Sequence, residues 1–80
     1  MERTKEEIKR QVEGLQKMKK TLPQYSFFGD DNWAGIDAQL DVIEGIREPD
    51  DFESDSDEIY SMAQQAEDWL NGSKDDLFED

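Results

Sequence analysis

Ile8, Val12, Leu15, Met18 and Leu22 recur at steps of 4, 3, 3 and 4, a spacing that an α-helix gathers onto one side. This pattern constrains the chain most, because apolar residues make up only 34% of its 80 residues. So few can form a core only if regular structure brings them together. The same period returns in Trp33, Ile36, Leu40 and Ile43, with Ile46 near the end, and again in Ile59, Met62, Ala63, Ala66, Trp69 and Leu70. Three amphipathic helices sharing one thin core are therefore expected: an all-α, compact three-helix bundle.

Local punctuation sets the boundaries. Thr4 followed three residues later by Glu7 is the pattern of a capping box, in which each side chain satisfies a free backbone N–H. Lys17, Lys19 and Lys20 suit the negative end of the first helix, and Pro23 prevents its continuation. Tyr25-Ser26-Phe27-Phe28-Gly29 reads as an aromatic connector whose rings cover one end of the core. Asp30, Asp31 or Asn32 caps the second helix, in which Gly35 and Gly45 each cost about 1 kcal/mol relative to alanine; Pro49 closes it. Residues 50–58 read as an exposed acidic loop ending in a cap at Asp55, Ser56 or Asp57, and Asn71-Gly72 ends the third helix. The predicted helices span about 5–21, 31–47 and 57–71 in one domain, 1–72. Residues 73–80 are predicted to form a flexible, frayed acidic tail, with Leu77 and Phe78 as a short docking motif if the tail has a role.

The chemistry available is narrow. With neither cysteine nor histidine, the chain lacks thiolate nucleophiles, the usual base near neutral pH and the usual transition-metal ligands. Asp51, Glu53, Asp55 and Asp57 alternate like the first ligands of a calcium-binding EF-hand loop. However, Ser56 stands where that loop needs glycine, and Met62 where it needs a bidentate glutamate. The carboxylate pairs Asp30-Asp31 and Asp50-Asp51 lie in polar surroundings, without the burial that separates acid from base. Ser54 and Ser56, set among acids, read first as helix-capping residues, and Trp33 and Trp69 as core. No enzyme activity, cofactor or metal is expected. No apolar run approaches a membrane span, and Met1 to Glu6 lack a signal peptide's apolar stretch. A cytoplasmic location without membrane contact is expected.

Charge is the distinctive property. The net charge is −13 and it is unevenly placed: residues 1–24 carry seven basic and four acidic side chains, net +3, and residues 25–80 carry two basic and eighteen acidic ones, net −16. Asp37, Asp41, Glu44 and Glu48 fall at steps of 4, 3 and 4 and form a predicted helical stripe beside the apolar face. Asp50, Asp51, Asp55 and Asp57 extend it. A bland reading pairs the stripe with Lys5, Lys9 and Lys20 in surface bridges worth about 0–1 kcal/mol each. The sharper reading is mimicry. Duplex DNA as long as a compact chain of this size, about 30 Å, carries roughly 18 phosphate charges, comparable to the −16 here.

Phe28-Gly29-Asp30-Asp31-Asn32, then Ile36-Asp37-Ala38-Gln39, and finally Ala66-Glu67-Asp68-Trp69-Leu70-Asn71-Gly72 resemble segments of small acidic uncharacterised proteins of bacteria and their mobile elements. The resemblance implies a bacterial or phage setting and assigns no functional residues. The expected function is a non-catalytic acidic binding protein that occupies a basic protein surface. Such a protein would be a nucleic-acid-mimicking inhibitor of a DNA- or RNA-handling or defence protein, and would not itself contact nucleic acid. The alternative is a structural or regulatory helical module, as a homodimer or larger homo-oligomer, using an apolar patch around Phe27, Phe28 and Trp33.

Overall fold

A computed structural model describes residues 3–21 and 30–77. Three α-helices make up the fold: α1 (Lys5–Thr21), α2 (Asp30–Glu44) and α3 (Asp57–Leu70). A 3₁₀ turn at Pro49–Phe52 lies between α2 and α3, and no strand occurs among the described residues. The aromatic connector, including Phe27 and Phe28, lies outside the described residues, as do Leu22, Pro23 and Phe78.

α1 begins as its sequence dictates. The Glu7 N–H donates to Thr4 Oγ1 at 3.2 Å, and the Thr4 N–H donates back to Glu7 Oε1 at 3.2 Å, the two reciprocal bonds of a capping box. The Thr4 N–H first of all, then the Arg3 guanidinium, holds the Glu7 carboxyl below the usual carboxylate range. α3 opens on Ser56, whose Oγ accepts the Ile59 N–H at 3.3 Å.

α2 and α3 end alike. Gly45 (φ 77°) and Gly72 (φ 86°) take the left-handed conformation, which costs glycine nothing. The Gly45 N–H donates to the Val42 carbonyl and the Ile46 N–H to that of Asp41, at 3.2 and 2.9 Å. After α3, the Gly72 N–H meets the Trp69 carbonyl and the Ser73 N–H that of Asp68, at 3.2 and 2.8 Å. This crossed pair is the Schellman ending. At Gly72 it falls where the sequence places it. At Gly45 it corrects the expected extent of α2, which stops at Glu44 rather than continuing to 47. The glycine expected as a tolerated interior cost is instead the stop signal.

α2 is the central helix. It shares its most extensive contact with α3, and α1 packs chiefly on α2. Its buried residues include Ile36, Leu40 and Ile43 as expected, and also Ala38, Gln39 and Val42. The buried arc is therefore broader than the Trp33/Ile36/Leu40/Ile43 face, as a helix flanked on two sides requires. Trp33 is only half-buried, and Ile46 lies outside the core altogether. α3 faces α2 with Ala63, Ala66 and Trp69. Gly35 admits Met62 of α3 beside the α2 backbone, since a Cβ there would fall 2.1 Å from Met62 Sδ.

Two further segments join this core against expectation. Phe52, within the predicted exposed loop, is buried, and so is Pro49. Proline at the start of the 3₁₀ turn fixes φ, and the turn directs the Phe52 ring inward against α3. The predicted flexible tail is corrected for residues 73–77: Leu77 is 0% exposed and belongs to the core cluster with Leu15 and Trp69. An aliphatic residue that reaches a thin core gains too much from desolvation to remain in water.

Among the described residues, Gln39 is the one polar residue with a fully buried side chain. Its Nε2 donates to the Met62 carbonyl at 3.1 Å, and its Oε1 has no hydrogen-bond partner among the described residues. An unmet buried acceptor is destabilising by about 1–3 kcal/mol, more than the net value of one neutral hydrogen bond. Gln39→Met, close in length and apolar, is expected to raise the thermal midpoint by roughly 4–8 °C, equivalent to about 1 kcal/mol. A lower midpoint in a melting curve would show that the bond to Met62 outweighs the orphaned oxygen.

Candidate acidic interface

The predicted acidic residues divide into two groups. Asp37, Asp41 and Glu44 lie on α2, where Asp37 and Asp41 are half-buried and Glu44 is exposed. Glu48 does not continue this stripe. The Gly45 stop removes it from the helix, and it instead precedes the 3₁₀ turn, where its N–H donates to Asp51 Oδ2 at 2.9 Å. Asp50 and Asp51 lie on that turn, Asp55 follows it, and Asp57 is the first residue of α3.

Two stripe members are already engaged within the fold. Lys19 Nζ lies 2.7 Å from Asp37 Oδ1 and 4.3 Å from the centre of the Trp33 ring, so one ammonium serves a carboxylate and an aromatic face. Arg47 Nε lies 3.8 Å from Asp41 Oδ2, and its guanidinium sits 5.5 Å from the Phe52 ring centre. The expected partners Lys5, Lys9 and Lys20 are exposed, and among the described residues none is ion-paired with α2. Lys19 follows Leu15 and Val12 by 4 and 7 positions and so lies on their side of α1. Lys5 shares that side but stands at the opposite end of the helix, and Lys9 and Lys20 lie farther round it.

The remaining predicted acidic residues gather at one end of the molecule, while Glu67, Asp68, Asp75 and Asp76 are exposed at and after the far end of α3. The Gln39–Met62 bond and the short link between the helices show that α2 and α3 run antiparallel, so residues 44–58 form one end of the hairpin. The N-terminal segment is anchored elsewhere: Lys19 at Asp37 and Trp33, and Arg3 at the carbonyls of Trp69, Leu70, Lys74 and Asp75. Arg3 and Lys19 are thus held away from residues 44–58. Within 44–58 stand eight carboxylates against Arg47 alone, net −7. Glu44, Glu48, Asp50, Asp51, Asp55 and Asp57 are exposed there. Glu53 and Glu58, exposed in the same stretch, also belong to this acidic end, although they lie off the predicted helical stripe. Their place in the acidic run was the available signal.

Among the described residues, no three Asp or Glu side chains converge as a metal-ligand set, and no helix is long and apolar enough to cross a membrane. Of the candidate apolar contacts, Trp33 is half-buried beneath Lys19, while Phe27 and Phe28 lie outside the described residues. Leu77, the proposed docking residue of the tail, is buried. No family model, no curated protein and no solved structure matches this chain.

Proposed function

We propose that this chain is a non-catalytic acidic binding protein whose 44–58 end occupies a basic surface on a protein partner, of the kind that otherwise holds nucleic acid. The observation that carries this reading is the separation of charge. Exposed carboxylates crowd the α2–α3 link, while Arg3 and Lys19 of the N-terminal segment are anchored away from it. Charge so placed attracts a cationic surface at long range and orients the approach. The shape narrows the partner. The molecule measures 38 × 26 × 25 Å, and the 44–58 acids occupy an end rather than its length. Duplex DNA about 25 Å long carries roughly 15 phosphates, so the −7 of this end suits a compact basic patch better than a long groove.

Binding to a basic nucleic-acid-binding protein recovered from host lysate at low salt should weaken steeply between about 50 mM and about 300 mM salt, as for phosphate-like contacts. Replacing Glu44, Glu48, Asp50 and Asp55 together by lysine is expected to lower affinity at least roughly tenfold. Asp37→Asn should change it little, because Lys19 already engages that carboxylate. Affinity indifferent to salt, or equal sensitivity at Asp37 and at the 44–58 acids, would refute the proposal.

A further inference from the structure

We propose that Ile46 is an apolar anchor at the centre of the acidic end, and that the partner surface there pairs lysine or arginine side chains with a small apolar recess. This inference rests on the acidic-interface reading and adds the contact that would turn long-range attraction into a seated complex.

Ile46 is 65% exposed, the most of the large apolar side chains described. Its backbone is nevertheless fixed. The Ile46 and Arg47 N–H groups both donate to the Asp41 carbonyl, at 2.9 and 3.3 Å, directly after the left-handed Gly45. In a Schellman ending, the residue after the glycine commonly folds its apolar side chain back onto the last turn of the helix. Here the facing positions are Asp41, whose carboxylate pairs with Arg47, and Leu40, which is itself buried, and Ile46 stays largely uncovered among the described residues. The equivalent ending of α3 places Ser73 at that position, a residue suited to water. Ile46 is thus a branched aliphatic side chain on a rigid mount, with Glu44 and Glu48 two residues to either side. An apolar centre with a charged rim is the usual anatomy of a protein interface, and a rigid mount spares the ordering cost of association. The sign of the rim selects a cationic partner.

The test uses the full chain and two short lysine-rich peptides that differ only in a central leucine or glycine. The leucine peptide should bind roughly tenfold more tightly, the value of burying one aliphatic side chain. Ile46→Ser should erase that difference while leaving the glycine peptide's affinity and the helical circular dichroism unchanged, and Ile46→Leu should restore it. Equal binding of both peptides to the natural chain, or an unchanged preference in Ile46→Ser, would overturn the anchor and leave the acidic reading standing. Failure of either peptide to bind at low salt would overturn both.

Discussion

Leu77→Ala is expected to destabilise the domain by about 2–5 kcal/mol, a large share of what a chain this small possesses. Leu77 is 0% exposed and lies in the same cluster as Leu15, Trp69 and the buried residues of α2. Removing its side chain leaves a cavity that fixed helices cannot fully close. Chemical denaturation followed by tryptophan fluorescence would measure the loss, since Trp69 belongs to that cluster. Leu77→Met should cost far less, because it keeps volume and apolarity. If Leu77→Ala unfolds at the same denaturant concentration as the natural chain, residues 73–77 do not pack as described.

Arg3→Met should produce the second large effect, a loss of about 2–4 kcal/mol. Arg3 acts as a clasp between the chain ends. Its Nε donates to the Trp69 carbonyl at 2.8 Å, its Nη2 donates to the carbonyls of Lys74 and Asp75, and its Nη1 pairs with Glu7 at 3.2 Å. The guanidinium plane also lies 4.7 Å from the centre of the Trp69 ring. The carbonyls at the end of a helix lack intrahelical donors, and a planar fork with five N–H groups meets several at once. Lysine cannot span that set, so Arg3→Lys is expected to recover only a minor part of the loss. Arg3 and Leu77 secure the same segment, so the double variant should lose less than the sum of the singles by at least about 0.5 kcal/mol. Strict additivity in that cycle would show that the clasp and the buried leucine act independently.

The parts of the fold that were legible in the sequence depend on neighbours a few residues away. Thr4 and Glu7 specify the start of α1, Ser56 the start of α3, and Asn71-Gly72 its end. In each case the bonding partners lie within one helical turn, so a short stretch contains the whole cause. The core residues Leu15, Ile36, Leu40, Ile43, Ala63, Ala66 and Trp69 follow from periodicity for the same reason. The candidate site was legible as composition: the acidic run at 50–58 and the carboxylates of α2 are visible at once. Its geometry was not. Spacing alone carries the stripe through Glu48, and only the Schellman ending formed at Gly45 takes Glu48 off the helix.

By itself, the sequence determined that three helices form, where α1 and α3 begin and end, and that negative charge collects after residue 24, because propensity, capping and charge reside in the local chain. Tertiary structure alone decided that Lys19 rather than Lys5, Lys9 or Lys20 reaches α2, that Gln39 is buried, that Phe52 and Leu77 complete the core, and that Arg3 joins the two ends. Each of these depends on how helices lie against one another, and that arrangement is set by burying a scarce apolar surface across residues distant in the chain.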